Sequence, residues 1–254
     1  MIIDSHMHLG HDYVFDVTIK EKDIVDACNK FGVDYGIVQP LISRPYIEDT
    51  IQIHNKICKM VNKYNGRFFG LASINPHFKP EDYDKELTRC VKDLNFVGVK
   101  ITPIGHAANP SSKDCMHVYE IAASLDIPVM IHTGSGTPFA DPVAMIDAVK
   151  AFPNVRFIVS HAGSDLMFKQ AIYLVMNYDN VYLEPSWIGI DNIIRAIKDI
   201  GANRIMFSSD VPENIPVELE KYKNATKDKK ELDYIFSGTA IEVFKLNLLK
   251  KKNE

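Results

Sequence analysis

The sequence has 254 residues, of which 46% are hydrophobic, and a formal net charge of −4. This length matches one α/β barrel, whose typical size is about 250 residues, so a single domain over residues 1–254 is predicted. The weak net charge argues against a nucleic-acid partner and favours a small-molecule substrate. No run of about 20 apolar residues occurs, and acidic Asp4 stands where a signal peptide would be basic, so we expect no membrane partner and a cytoplasmic location.

Short β-branched runs alternate along the chain with longer segments of helical period, which is typical of a parallel sheet covered by helices. The runs that predict strands are Ile2–Asp4, Tyr35–Val38, Phe68–Ile74, Val97–Ile101, Pro128–Ile131, Val155–Val159, Val181–Leu183 and Arg204–Phe207. Eight strand–helix units at a spacing of about 30 residues favour a closed (β/α)8 TIM barrel.

Capping signals delimit several of the helices. Thr18 and Glu21 form a capping-box pattern, and Gly32 is placed to end that helix. The pair Asp141-Pro142 predicts an N-cap followed by proline in the first helical turn. Residues 239–249 carry enough apolar positions for a closing helix, and the charged residues after them are expected to fray.

An open, doubly wound sheet is the alternative architecture. Such a sheet normally carries a glycine-rich phosphate loop after its first strand. This sequence has Ser5-His6-Met7-His8 at that position, which favours the barrel.

Histidines and a carboxylate follow several predicted strands at the point where each strand ends. His6 and His8 alternate along an extended segment and therefore face the same side. His132, His161 and Asp210 follow the fifth, sixth and eighth strands, and the carboxyl ends of barrel strands converge on one face. Any one of these residues alone would more often be a satisfied polar group at the rim. Together they form the ligand set expected for zinc, with manganese as the alternative divalent ion.

The sequence resembles the amidohydrolase superfamily, specifically its amidohydrolase-2 branch, which contains aminocarboxymuconate-semialdehyde and resorcylate-type decarboxylases as well as hydrolases. The motifs that carry the resemblance are Ile3-Asp4-Ser5-His6-Met7-His8, Gly98-Val99-Lys100-Ile101, Val129-Met130-Ile131-His132-Thr133-Gly134, Phe152-Pro153-Asn154-Val155, Ser160-His161-Ala162-Gly163, Asn180-Val181-Tyr182-Leu183-Glu184 and Phe207-Ser208-Ser209-Asp210-Val211-Pro212. The resemblance implies that His6, His8, His132 and Asp210 bind one metal ion and that Asp210 also moves a proton. It implies that His161 is a second catalytic group or, in two-metal relatives, another ligand.

Several residues near these motifs have more than one interpretation. Lys100 occupies a position where some two-metal members carry a carbamylated lysine, but we expect it to bind a substrate carboxylate, and we expect one metal ion. Glu184 either orients a ligand or is a solvated rim residue. Arg44 is predicted to clamp a carboxylate, and Trp187 to form a wall of the substrate pocket. Thr102 departs from the histidine common in relatives.

The remaining histidines and the cysteines are predicted to have structural roles. No Cys-x-x-Cys motif occurs, so the cysteines are interpreted as reduced core residues. The residues in question are His11, His54, His77, His106 and His117, with Cys28, Cys58, Cys90 and Cys115.

Metal-assisted hydrolysis of a small amide, ester or lactone is the first functional hypothesis. A bound cation would lower the pKa of water towards about 7, Asp210 would accept the proton, and His161 would stabilise charge or protonate the leaving group. The alternative is non-oxidative decarboxylation at the same site, and a non-catalytic binding barrel is a third hypothesis. A homodimer is the expected assembly.

Overall fold

The computed structural model describes residues 1–13, 16–41, 46–134, 136 and 139–248. Its strands are β1 (Ile3–Asp12), β2 (Val17–Ile19), β3 (Tyr35–Pro40), β4 (Phe68–Gly70), β5 (Ala72–Ser73), β6 (Val99–Ile101), β7 (Val129–His132), β8 (Phe157–Ser160) and β9 (Val181–Glu184). Its α-helices are α1 (Glu21–Phe31), α2 (Ile47–Lys63), α3 (Pro80–Lys92), α4 (Pro103–His106), α5 (Lys113–Leu125), α6 (Ile146–Ala151), α7 (Ser164–Asn177), α8 (Ile190–Ile200), α9 (Ile215–Ala225), α10 (Lys229–Asp233) and α11 (Thr239–Val243).

The strands form a closed ring. β1, β3 and β4 pair in parallel, and β5 through β9 pair in parallel in chain order. Leu71 joins β4 to β5 and donates its N–H to Val38 O at 2.9 Å, which connects the two sheets. Residues 205–210 bridge the remaining gap, because Ile205 pairs with Leu183 and Asp210 pairs with Met7. The predicted eight-position TIM barrel is therefore confirmed.

The alternation of side chains along the strands divides the core into two layers. The larger apolar cluster lies between the barrel and its surrounding helices. The smaller cluster fills the barrel interior with Ile3, Ile37, Met130, Ile158 and Met206, and Val243 and Phe244 from the C-terminal segment pack against it. This inner plug lies away from the polar strand ends, and barrel enzymes place their active sites at the carboxyl ends of the strands.

The N-terminal elements differ from the sequence prediction. β1 continues to Asp12 and forms an antiparallel hairpin with β2, which the predicted strand Ile2–Asp4 did not include. The predicted capping box of Thr18 and Glu21 is wrong, because Thr18 belongs to β2 and its Oγ1 lies 2.7 Å from His11 Nδ1. Lys20 is the N-cap of α1, and Asp23 accepts its N–H. Gly32 ends α1 with φ +74°, as predicted.

Later elements also differ in detail. The helix predicted after Asp141 begins as a 3-10 turn over Pro142–Met145, and the Asp141 side chain forms no capping hydrogen bond. The predicted closing helix is shorter, because α11 ends at Val243 and Lys245 adopts a left-handed conformation with φ +52°. A π-helical turn at Tyr234–Gly238 precedes α11. All four cysteines are free, as predicted. Among the described residues, no helix has the length and apolar character that a membrane span requires.

Candidate metal centre and active site

A register shift in β1 places its two histidines inside the barrel. The pairing of β1 with β3 shifts between Asp4 and Met7. Ile3, before the shift, faces the barrel interior, whereas Met7, after it, packs in the outer layer. Strict alternation would put Ile3 and His6 on opposite faces. The irregularity therefore allows both the inner plug and the two histidines to face inward.

Three ligand atoms converge at this mouth of the barrel. Nε2 of His6 lies 2.9 Å from Nε2 of His8. Oδ1 of Asp210 lies 3.3 Å from the first nitrogen and 3.2 Å from the second. Asp210 is held there by its own backbone N–H, which donates to His6 O at 2.8 Å.

The tautomers of the two histidines indicate a cation between them. Nδ1 of His8 lies 2.7 Å from the Pro40 carbonyl oxygen, which only accepts hydrogen bonds. Nδ1 of His6 lies 2.7 Å from a Glu184 carboxylate oxygen. Both Nδ1 atoms therefore carry the proton, and both Nε2 atoms present lone pairs to each other and to Asp210. This donor set fits a divalent cation, which binds imidazole nitrogen at about 2.0–2.1 Å.

Glu184 is a buried anion that organises the centre. It is 0% exposed and accepts hydrogen bonds at both carboxylate oxygens. The donors are His6 Nδ1, Ser160 Oγ, Ser208 Oγ and the backbone N–H groups of His161 and Ser186. Burial by itself raises its pKa, but attraction to His6 and His161 and the hydrogen bond from His6 hold the pKa well below its usual value. Of the two interpretations of Glu184, the structure supports orientation of a ligand.

The ammonium group of Lys100 lies beside the centre formed by His6, His8 and Asp210. Its side chain is fully buried, with Nζ 3.3 Å from His6 Nε2 and 3.0 Å from Ser160 Oγ. Burial lowers its pKa from 10.5 to about 8, against the attraction of Glu184 and Asp210, which raises it. Lys100 also borders the cavity, so it can contact a bound molecule.

His161 and His132 lie beside this centre. Nδ1 of His161 is 2.8 Å from Ser186 Oγ, and its ring is 5.0 Å from the His6 ring. Burial keeps the His161 pKa well below its usual value, although Glu184 and Asp210 oppose this effect. The His132 ring is 4.9 Å from the His161 ring. His132 lies outside the group formed by His6, His8 and Asp210, whose ligand atoms are all within 4.8 Å of one another.

A small cavity of about 200 Å³ opens onto these groups. It is lined by His8, Asp12, Leu41, Lys100, Thr102, Ile104, His132, His161, Asp210 and Val211. The sequence prediction did not include Asp12, which lies four residues after His8 on the same long strand. Gln39 was also missed, although it is the next-to-last residue of β3 and its Nε2 lies 3.4 Å from His8 Nε2. The position of each at a strand end is the signal that could have identified it.

The residues predicted to bind substrate lie at different positions relative to the cavity. Lys100 borders the cavity, as described above. Trp187 contributes no part of the cavity lining among the described residues, and its indole Nε1–H donates to Asp210 Oδ2 at 2.8 Å. The role of Trp187 as a wall of the substrate pocket therefore stays a prediction. Arg44 lies outside the described residues.

Comparisons with known proteins identify the family. The amidohydrolase family model matches residues 3–246, nearly the whole chain. A gamma-resorcylate decarboxylase from Polaromonas sp. (strain JS666) is 27% identical over 244 residues, covering 75% of this chain and 74% of that protein. A 2-keto-4-carboxy-3-hexenedioate hydratase from Sphingobium sp. is 30% identical over 164 residues, covering 52% of this chain and 48% of the hydratase.

A solved structure supports the fold. The dihydroxybenzoic acid decarboxylase of Polaromonas sp. JS666, crystallised with manganese and the inhibitor 2-nitroresorcinol, superimposes with a TM-score of 0.80 at 19% identity. The match covers 100% of this chain and 99% of that one. These relatives are enzymes, in agreement with the prediction that the chain is an enzyme. Because the family model spans almost all of the sequence, the chain belongs to the amidohydrolase family, in the amidohydrolase-2 branch that its motifs indicated.

Proposed function

We propose that the protein is a divalent-metal-dependent, non-oxidative decarboxylase of a small carboxylic acid, with a hydroxylated benzoate as the first substrate class. The observation that carries the proposal is the position of the Lys100 ammonium beside the converging ligand atoms of His6, His8 and Asp210, at the wall of one small cavity. The 27% identity with a gamma-resorcylate decarboxylase over three quarters of both chains supports the same chemistry.

The charges at the cavity favour an anionic substrate. A divalent cation and protonated Lys100 would carry three positive charges, which the carboxylates of Asp210, Glu184 and Asp12 balance, and the Lys100 ammonium borders the cavity. Buried positive charge is stabilised by an anion such as a carboxylate. A substrate carboxylate would form a charge-assisted hydrogen bond with the Lys100 ammonium, which is stronger than the bond that a neutral amide or ester would form. The cavity volume of about 200 Å³ lies below the range of about 300–1,000 Å³ typical of larger ligands, so a small acid fits best.

The residues of the chain divide the chemistry between them. His6, His8 and Asp210 would hold the metal, with His132 as a further ligand, and the metal would supply a Lewis acid that binds substrate oxygens. Lys100 binds the carboxylate and orients it. As the bond between the carboxyl carbon and the ring breaks, carbon dioxide leaves and the electron pair stays on the ring carbon. Asp210 or His161, both at the cavity wall, would pass a proton taken up from solvent to that carbon, so no oxidant is required.

The experiment compares reaction classes on metal-reconstituted protein. The purified chain is stripped with a chelator and reloaded with Mn²⁺, because a related structure contains manganese, or with Zn²⁺, the ion expected from the sequence. A panel of mono- and dihydroxybenzoates is followed for carbon dioxide release, and incorporation of deuterium from D₂O at the ring carbon is followed by NMR. A panel of esters, amides and lactones is followed for cleavage. We expect metal-dependent release of carbon dioxide. Cleavage of the second panel without carbon dioxide release would restore the hydrolase hypothesis and overturn ours.

Hydration of an unsaturated acid is the second candidate. It is favoured by the match to the 2-keto-4-carboxy-3-hexenedioate hydratase, although that match covers only about half of each chain. A hydratase would need the same anion-binding charge at Lys100. It would add water across a double bond and release no carbon dioxide, so loss of ultraviolet absorbance from unsaturated dicarboxylates distinguishes it.

A further inference from the structure

Trp187 is the single tryptophan of the sequence, and it contacts a proposed metal ligand. It follows β9 in a left-handed backbone conformation, with φ +74°, which is strained for a residue with a large side chain. Its indole Nε1–H donates to Asp210 Oδ2 at 2.8 Å. The other oxygen of Asp210, Oδ1, faces His6 and His8. The indole and the two histidines therefore engage opposite oxygens of one carboxylate.

A buried carboxylate on α9 holds Trp187 in this conformation. Oε1 of Glu218 accepts the backbone N–H of Trp187 at 2.8 Å. The same oxygen accepts hydrogen bonds from Asn214 at 3.0 Å and from Lys221 at 2.7 Å. Asn214 also donates to the carbonyl of Ser209, the residue directly before Asp210, at 3.0 Å. α9 thus fixes both the loop that carries Trp187 and the segment that carries Asp210.

Asp210 carries its carboxylate on a left-handed backbone, and the carboxylate needs a partner of its own because φ does not fix the rotation of the side chain. Its φ is +69°, a conformation that residues other than glycine adopt rarely. Without the indole donor, the carboxylate could rotate and present either oxygen, or neither, to the cation. A hydrogen bond to the non-coordinating oxygen restricts that rotation, as the partners of metal-binding side chains commonly do.

We propose that Trp187, held by Glu218, is a positioning residue that locks the Asp210 carboxylate with Oδ1 toward the cation. This inference rests on the metal site of the proposed function but not on decarboxylation. It also makes the indole an internal reporter, since its fluorescence must respond when a metal ion binds the carboxylate to which it is hydrogen-bonded.

The first experiment titrates the metal-free protein with Mn²⁺ and records tryptophan fluorescence. Free Mn²⁺ is measured in parallel by electron paramagnetic resonance, which reports binding independently. We expect paramagnetic quenching that saturates together with the binding of the first equivalent. Binding of Mn²⁺ with unchanged fluorescence would show that the indole is remote from the ion and would overturn the inference.

The second experiment uses Trp187→Phe, which keeps an aromatic ring and removes the N–H donor. Because the Trp187 side chain is 53% exposed, we expect the variant to fold, as checked by circular dichroism. The Kd for Mn²⁺ should rise by about tenfold, the lower end of effects seen for residues that support metal ligands. Tyr173→Phe, at a half-exposed aromatic residue on α7, is the matched control and should leave the Kd unchanged.

The outcomes separate this inference from the proposed function. An unchanged Kd in Trp187→Phe overturns the positioning role even if the enzyme is a decarboxylase. A weakened Kd supports it even if no acid in the substrate panel is decarboxylated. If the wild-type protein binds neither Mn²⁺ nor Zn²⁺, both the metal site and this inference are wrong.

Discussion

Oε2 of Glu184 lies 2.7 Å from Nδ1 of His6, although the two residues are 178 positions apart in the chain. The contact fixes the tautomer of His6, because the carboxylate accepts the Nδ1 proton and leaves the Nε2 lone pair toward the cation. Glu184 therefore determines whether His6 can be a ligand, even though it is not one of the three converging groups.

Glu184→Gln should weaken metal binding by about tenfold to a hundredfold, because a neutral amide neither orients the His6 ring as firmly nor stabilises its proton. The measurement is the Kd for Mn²⁺ by titration. Glu220→Gln, at an exposed position of α9, is the matched control. An affinity equal to that of the wild type would contradict the role assigned to Glu184.

Asp210→Asn should lower kcat by about a hundredfold to ten-thousandfold, the range associated with removal of a general acid or base. The amide oxygen can still accept the Trp187 indole proton, but the amide nitrogen that then faces His6 and His8 is no ligand. Steady-state kinetics on a substrate from the panel provide the measurement, with circular dichroism to verify the fold. Normal turnover would exclude Asp210 from proton transfer.

Lys100→Met should raise KM for a carboxylate substrate by about tenfold or more, because hydrogen bonds to charged groups contribute about 1.5–3 kcal/mol. Methionine replaces the buried stem while removing the ammonium, but Glu184 and Asp210 then lose a buried cationic partner, so the melting temperature should fall. KM is therefore compared at a temperature at which both proteins are folded. An unchanged KM would show that Lys100 does not contact the substrate.

A buried pair outside the active site should make stability sensitive to acid. Nδ1 of His54 lies 2.7 Å from Glu86 Oε1, and Arg89 donates to both Glu86 oxygens. Although burial raises it, these hydrogen bonds lower the Glu86 pKa from 4.5 to about 2. Burial lowers the His54 pKa below 6.5.

In both cases the unfolded chain binds more protons, so stability falls as the pH falls, first below 6.5 through His54 and then below 4.5 through Glu86. Glu86 contributes about 3 kcal/mol to the free energy of unfolding, fully present above pH 4.5 and lost towards pH 2.

Urea unfolding at pH 7, 5 and 3 measures how the free energy of unfolding depends on pH. Glu86→Gln should be less stable at pH 7 and should show a shallower dependence on pH, whereas exposed Glu120→Gln should match the wild type. Equal slopes for all three proteins would refute the assignment.

Local patterns in the sequence determined the architecture and most of the site. The alternation of β-branched runs with helical periodicity predicted a barrel, because each pattern buries its apolar side chains in only one kind of structure. The convergence of His6, His8 and Asp210 followed from their positions at strand ends, since the carboxyl ends of barrel strands share one face. The family resemblance rested on the same short motifs.

The tertiary structure decided what depends on register and on contacts between distant residues. The irregularity between Asp4 and Met7, which sets the face on which His6 lies, is a property of pairing with β3 and has no local signal. The roles of Glu184 and Trp187 depend on which atoms of distant strands meet at hydrogen-bond distance. Periodicity specifies which face of an element is apolar. It cannot specify which buried polar groups form hydrogen bonds with each other. Those pairs are fixed only when all strands have closed into the ring.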